Sequence, residues 1–328
     1  MKYDDSAIAP RSTPLPDASG LAFGAIGVAA FSFTVPLTRV AVADLDPVLV
    51  GVGRAVVAGL LAVTLLAVVR PRLPRGRQWL RLALVAGGVV VGFPVLTSLA
   101  LTSTTAAHAA VVIGLLPAAT AVAAVLRTGE RPPARFWVFA LAGAIAVGVF
   151  STLGHGALGP PRIGDLLLLA AVVAGAVGYA EGGLLARELG AWQTISWALV
   201  VALPATAVTT AILTTRSTPT AGGAAWAAFA YLSAVSMFLG FFAWYRGLAI
   251  GPMTTVSQIQ LVQPVLSVLW SVALVGESLT ASVVVGAVAI IACATCAVRS
   301  RPTTGSASRA VRPRTVGPVR STRPRVSH

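Results

Sequence analysis

Long apolar blocks alternate along the chain with short connectors that hold Pro, Gly and Arg. Blocks of roughly 20 residues match the hydrocarbon thickness a helix must cross, and these lack the narrow apolar stripe of a surface helix. They predict ten membrane-crossing helices over residues 21–38, 48–69, 79–101, 106–126, 136–153, 164–186, 192–213, 224–246, 254–275 and 281–298. Pro36, Pro94, Pro117, Pro204 and Pro264 fall inside blocks and predict kinks. Membrane helices tolerate these because neighbouring groups re-satisfy the freed carbonyls. The expected fold class is an all-α integral membrane protein.

Composition strengthens that reading. The 328 residues are 56% hydrophobic and only 10% charged, against roughly 25% charged in soluble domains. The mean hydropathy is +0.86. A net charge of +14 raises the question of nucleic acid. The basic residues, however, sit between apolar blocks and in the C-terminal tail rather than on a stripe with interleaved aromatics. Nucleic acid is therefore not an expected partner, whereas a lipid bilayer with anionic headgroups is. With the N-terminus inside, 20 of the 24 Lys and Arg residues fall on the cytoplasmic side. Arg39, Arg162 and Arg216 fall outside, and Arg54 lies within the second block. That asymmetry follows the positive-inside rule and places both termini in the cytoplasm of a multi-pass plasma-membrane protein. Residues 1–20 form a polar tail unlike a signal peptide, since the first apolar block is too long for an h-region. The basic tail 299–328, rich in Pro, Ser and Thr, cannot bury a core and is expected to be disordered.

Several chemistries are excluded. Lys2 is the only lysine, so there is no P-loop lysine and no buried lysine for a Schiff base. Neither H-E-x-x-H nor G-x-S-x-G occurs. Cys293 and Cys296 share one apolar block and read as small packing residues rather than a metal site. No catalytic residue, cofactor or metal is expected.

The chain also carries an internal duplication. Pro117 and Pro264, Gly129 and Gly276, and Glu130 and Glu277 are each separated by 147 residues, as are Leu101 and Leu248. Phe31 and Tyr179, and Arg39 and Arg187, pair at 148. Five helices per copy is an odd number, which turns the second copy over relative to the first. Two inverted five-helix repeats, 21–153 and 164–298 joined by a linker at 154–163, are an arrangement transporters use to generate inward- and outward-open states of similar energy.

These residues carry a resemblance. The stretch 99–131, with small residues at 106–110, then Pro117 and Gly129-Glu130, resembles the fourth-helix signature of EamA-type carriers of the drug/metabolite transporter superfamily. The stretch 244–279, with Pro264 and Gly276-Glu277, resembles its second copy. The resemblance covers about residues 21–298. It implies ten helices in two inverted repeats around a central cavity, and gradient-driven export or exchange of amino acids, other metabolites or drugs. Ser278 stands where the first copy keeps Arg131, and Phe31-Ser32 stands where helix 1 of the family frequently has Trp-Gly.

Polar residues inside a membrane are expensive, so each is a candidate for function. Arg54, two turns into the second helix, can clamp a carboxylate or snorkel. His108 can exchange a proton or serve as a hydrogen-bonded interfacial histidine. Glu181, the only carboxylate well inside an apolar block, reads either as a proton-coupling site or as the partner of Arg187 or another inner arginine. Gln258, Gln260 and Gln263 precede Pro264 and can line a cavity or bond between helices. Phe31, Tyr179, Trp197, Trp244 and Tyr245 can supply aromatic walls, while Trp79, Trp137 and Trp192 suit interface belts. Glu130 and Glu277, at helix ends, suit capping of neighbouring helices. Small pairs such as Gly88 and Gly92 leave a homodimer open. The leading function is a secondary transporter of a small-molecule substrate, with proton-linked efflux by analogy. The competing readings are a membrane-embedded lipid-modifying enzyme, which needs clustered Asp, His and Glu near one face, and a non-transporting scaffold, which needs a folded soluble part.

Overall fold

The computed structural model describes residues 18–129, 133–153, 162–216, 218–250 and 259–299. All regular elements among them are helical, and they form ten rods. We label them α1 (Ser19–Asp44), α2 (Pro47–Val69), α3 (Arg77–Ala100), α4 (Ala106–Thr128), α5 (Ala134–Leu153), α6 (Ile163–Leu189), α7 (Ala191–Arg216), α8 (Gly223–Ile250), α9 (Gln260–Val275) and α10 (Ala281–Arg299). Seven rods, α1–α4 and α6–α8, are long and apolar enough to cross a membrane; the apolar stretches of α5, α9 and α10 are shorter. The predicted start of the ninth helix, including Gln258, lies outside the described residues, as do Glu130 and most of both tails.

The rods begin and end where local chemistry dictates. Asp46 caps α2 by accepting the Leu49 N–H at 2.8 Å, and Pro47 occupies the first helical position, where no N–H is needed. Helices α4 and α9 each stop at a glycine in the left-handed region, Gly129 at φ 70° and Gly276 at φ 72°. Most of the prolines interrupt their rods as expected, but Pro204 sits within an unbroken α7. Pro117 follows a break at Gly114–Leu115, and a 3₁₀ turn, Gln260–Val262, precedes Pro264.

Two wide, π-helical turns were not foreseen: Ala86–Gly92 in α3 and Leu232–Leu239 in α8. A glycine follows the widened carbonyls in both. A Cβ on Gly92 would lie 2.6 Å from the Gly87 carbonyl oxygen, and one on Gly240 would lie 3.0 Å from that of Val235. Pro94 cannot donate to the carbonyl four residues back and its ring crowds it, which favours the wide turn in α3.

Packing repeats between the halves. Helices α2 and α7, α4 and α9, and α5 and α10 pack as direct pairs. The contacts α1–α8, α1–α9 and α2–α8 recur as α6–α3, α6–α4 and α7–α3. Each follows from the other when every helix is advanced by five. Gly88 and Gly92 are used inside the chain. A Cβ on Gly88 would meet the Ala174 carbonyl at 2.5 Å, and one on Gly92 the Ala174 side chain at 3.1 Å, so small residues let α3 and α6 approach closely. Outward faces carry exposed Leu60, Leu141, Val173, Ile212, Leu269 and Val285, while Arg54, Asp165, Glu181 and Gln260 are buried. That inside-out distribution suits a lipid surround rather than water.

Candidate functional site

The break in α1 at Phe33 organises the centre. Its freed groups are tied to α8 and α9: Thr34 shares a 2.7 Å hydroxyl bond with Ser236, Ser267 donates to the Ser32 carbonyl at 2.8 Å, and Trp270 Nε1 donates to Ser32 Oγ at 3.0 Å. Beside this break lies a cavity of about 30 Å³, lined mostly by buried residues, among them Phe31, Thr34, Arg54, Phe93, Tyr179, Phe241 and Gln263. A smaller void of about 10 Å³ adjoins it through Val35 and Gln263 and reaches Gln260, Pro117 and Pro264. Together they have room for a few water molecules at most.

Of the sequence candidates, Arg54, Tyr179, Gln260 and Gln263 come together here. The Arg54 side chain is 1% exposed, and its Nε has no hydrogen-bond partner. Gln260 Nε2 and Gln263 Oε1 are also buried without partners. Trp244 does not border the cavity. It backs the wall, with its ring 6.5 Å from Phe31 and 6.2 Å from Tyr179. Tyr245 packs against α6, where its hydroxyl donates to the Gly178 carbonyl at 3.5 Å. Trp197 is no cavity wall either: it meets Trp79 edge-on at 5.6 Å.

Glu181 and His108 lie at opposite ends of the bundle. Glu181 (α6) is 3% exposed and is held between two cations. Arg81 (α3) donates to its Oε1, and Arg127 (α4) donates Nε to its Oε2 at 2.6 Å. Arg81 also donates to Glu188 at 2.5 Å. The partners of Glu181 are thus Arg81 and Arg127 rather than Arg187. At the other end, the Glu277 carboxylate accepts the backbone N–H groups of Ala106 and Ala107 at 2.7 Å each, capping α4 from the end of α9. His108, in the first turn of α4, bonds Asp165 of α6 at 2.7 Å through Nε2, and its ring stacks on Phe150. Arg39, expected in an outer connector, instead sits on α1 and donates to the Leu101 carbonyl. A vestibule of about 400 Å³ opens beside Thr105, His108 and Glu277.

The sequence reading missed Asp165, Arg81 and Arg127 as partners, and Phe93 and Phe241 as cavity walls. Asp165 carried a readable signal, an acid in the first turn of a helix, where it accepts the Arg162 N–H at 3.3 Å. The others depend on which helices meet, and a single helix does not encode that. Among the described residues no group of three or more His, Cys, Asp or Glu side chains is placed to hold a metal.

Comparison with known proteins places this geometry. The model of the EamA-like transporter family matches the chain twice, over residues 18–152 and 162–299. The "Uncharacterized transporter YdeK" of Bacillus subtilis (strain 168) is 46% identical over 276 residues, which is 84% of this chain and 96% of that protein. One crystal structure of a protein superposes with a TM-score of 0.61 at 20% identity, covering 85% of this chain and 98% of its own. At that identity the likeness speaks for the fold alone.

Proposed function

The chain belongs to the EamA-like transporter family, a multi-pass membrane transporter of the drug/metabolite type, and from that premise we propose that it is a secondary-active carrier working by alternating access. In this reading all ten rods cross the plasma membrane, the two five-helix repeats are inverted, and the central cavity, with room now for a few waters at most, is the closed form of a transport site that widens as either end opens. The single observation that carries it is a central cavity lined mostly by buried residues, with a separate polar cluster at each end of the bundle, which we read as closures. One closure is made by Arg81, Arg127 and Glu181, the other by Glu277 on the first turn of α4. An enzyme site or a receptor cleft needs one open mouth. A carrier needs two closures that release in turn.

Positive-inside asymmetry assigns the Glu181 end to the cytoplasm, together with both termini, and the Glu277 end to the outside. Export driven by the proton gradient is the direction and coupling we favour, on family analogy. Glu181, locked between two arginines, serves in this reading as a closure rather than as the coupling acid.

The test needs no known substrate. In a background where Cys293 and Cys296 are replaced by alanine, Val35→Cys places one thiol on the cavity wall. A membrane-impermeant maleimide should reach it from either side of oriented proteoliposomes. Labelling from one side only would sink alternating access.

A further inference from the structure

We infer that the transported solute bears a carboxylate, and that Arg54 is its anchor; this rests on the carrier reading above. A buried cation is tolerated only when it is paired or extensively hydrogen-bonded. Arg54 is neither. It is enclosed by α2 and its neighbours, its Nε has no acceptor, and no hydrogen bond or ion pair links it to another described residue.

The chain offers no counterion from within the described residues. Asp44 accepts from Gly222 N and Asp46 from Leu49 N, at the ends of their helices. Asp165, Glu181, Glu188 and Glu277 are engaged at the two ends of the bundle. The walls of the two voids hold no carboxylate at all. A cavity with one fixed positive charge and no negative one repels cationic solutes and attracts anions.

The class of anion follows from the shape of the site. The guanidinium is a planar fork that matches a carboxylate with two parallel hydrogen bonds. A single cation neutralises a single charge, whereas a phosphate dianion would remain half unpaired. A lipid headgroup is disfavoured because most residues lining the cavity are buried between helices rather than on the lipid-facing surface. Gln260 and Gln263 offer unpartnered amide groups for a second polar group on the solute, and Phe31, Phe93, Tyr179 and Phe241 leave an apolar, largely aromatic wall for its body. Arg54 has no counterpart in the second repeat. The positions 147 and 148 residues on are Val201 and Ala202, so the pocket recognises its solute from one side only.

The experiment compares matched solutes on the purified full chain in nanodiscs: 3-phenylpropionate, its primary amide and 3-phenylpropylamine, with hexanoate, hexanamide and hexylamine as the aliphatic set. Carboxylates should raise the melting temperature and bind at least about tenfold more tightly than their amides, the worth of one charge-assisted hydrogen bond. The amines should be bound no better than the amides. Arg54→Met should erase the preference, and Arg54→Lys, which keeps the charge but not the fork, should restore part of it. Arg54→Met should also melt no lower than the wild type without ligand, because it removes an uncompensated buried charge.

Equal binding of carboxylate and amide, failure of every carboxylate at millimolar concentration, or a lowered melting temperature of ligand-free Arg54→Met would each overturn the assignment. The two readings fail separately. A carboxylate preference with one-sided labelling of Val35→Cys defeats the carrier and keeps the site. Two-sided labelling without the preference defeats the site and keeps the carrier.

Discussion

The two ends of the bundle are held together by different physics. At the Glu181 end the contacts are between side chains: one buried carboxylate bridges arginines from α3 and α4, of which Arg81 is 16% exposed and Arg127 50%. At the Glu277 end a carboxylate on α9 holds the backbone of α4 itself, through two N–H groups at the start of the helix. An ion pair whose arginine is half exposed, as Arg127 is, exchanges readily for water and gives little net stability. A helix end has a fixed geometry and four donors that must find acceptors. The comparison teaches that only the Arg127 side of the Glu181 cluster is loosely held, whereas the Glu277 end fixes α4 to α9 through backbone groups; in the carrier reading the Glu181 end is the easier one to open.

The largest expected effect therefore lies at the Glu277 end. Glu277→Ala strips two buried N–H groups of their acceptor, and hydrogen bonds to charged groups are worth roughly 1.5–3 kcal/mol each. Water entering from the adjacent vestibule replaces part of that, so we expect a loss of about 2–4 kcal/mol. The Val35→Cys thiol should then be labelled faster from the Glu277 side. Unchanged labelling and an unchanged melting temperature would mean that the cap is not a closure.

Glu181→Gln comes next. Removing one partner of a buried pair costs about 3–5 kcal/mol, but here both arginines can turn to water. We expect about 1–3 kcal/mol after that discount. The same thiol should be labelled faster from the Glu181 side and more slowly from the other. If labelling rises from both sides, the closures do not alternate and the difference between the ends is only one of stability.

Much of this architecture was legible in the sequence. The apolar blocks match the rods to within a few residues at most ends, because a membrane span needs only length and apolarity. Pro117, Gly129, Pro264 and Gly276 announced the break and stop of α4 and α9, since proline and glycine act locally. The wide turns Ala86–Gly92 and Leu232–Leu239 were not legible: nothing in a hydropathy pattern distinguishes a five-residue carbonyl gap from a four-residue one. The split of the polar candidates was half visible. Arg54 read as a carboxylate clamp or a snorkelling side chain, and Gln260 and Gln263 as cavity lining or interhelical bonds; the structure puts all three beside the voids. Glu181 became a closure only because α3 and α4 bring Arg81 and Arg127 to it, and that is a fact of tertiary packing.

A third test probes how the Glu277 end is tied to α6. Asp165→Asn keeps an acceptor for the Arg162 N–H but gives His108 a neutral partner in place of a carboxylate. Asp165 is the third residue of α6, so the exchange also removes a charge that suits the helix start, worth about 0.3–1 kcal/mol. With the weakened His108 contact the cost should be about 1–2 kcal/mol. A loss as large as that of Glu277→Ala would make the His108–Asp165 pair, rather than the cap, the main closure of this end.

The smallest effect should come from Arg127→Gln. Its guanidinium is half exposed, and Glu181 keeps Arg81 when Arg127 is gone. A half-exposed ion pair is worth about 0–1 kcal/mol, so the melting temperature should barely move. Labelling of Val35→Cys from the Glu181 side should rise less than in Glu181→Gln, and raised salt should bring the wild type toward the variant, because solvated charges are screened. Glu277→Ala should show no such convergence, since its two bonds run to backbone groups on the buried first turn of α4. If Arg127→Gln destabilised the protein as much as Glu181→Gln, the Glu181 end would be a rigid buried network. The contrast between a pair of side chains made to part and a helix cap made to hold would then be lost.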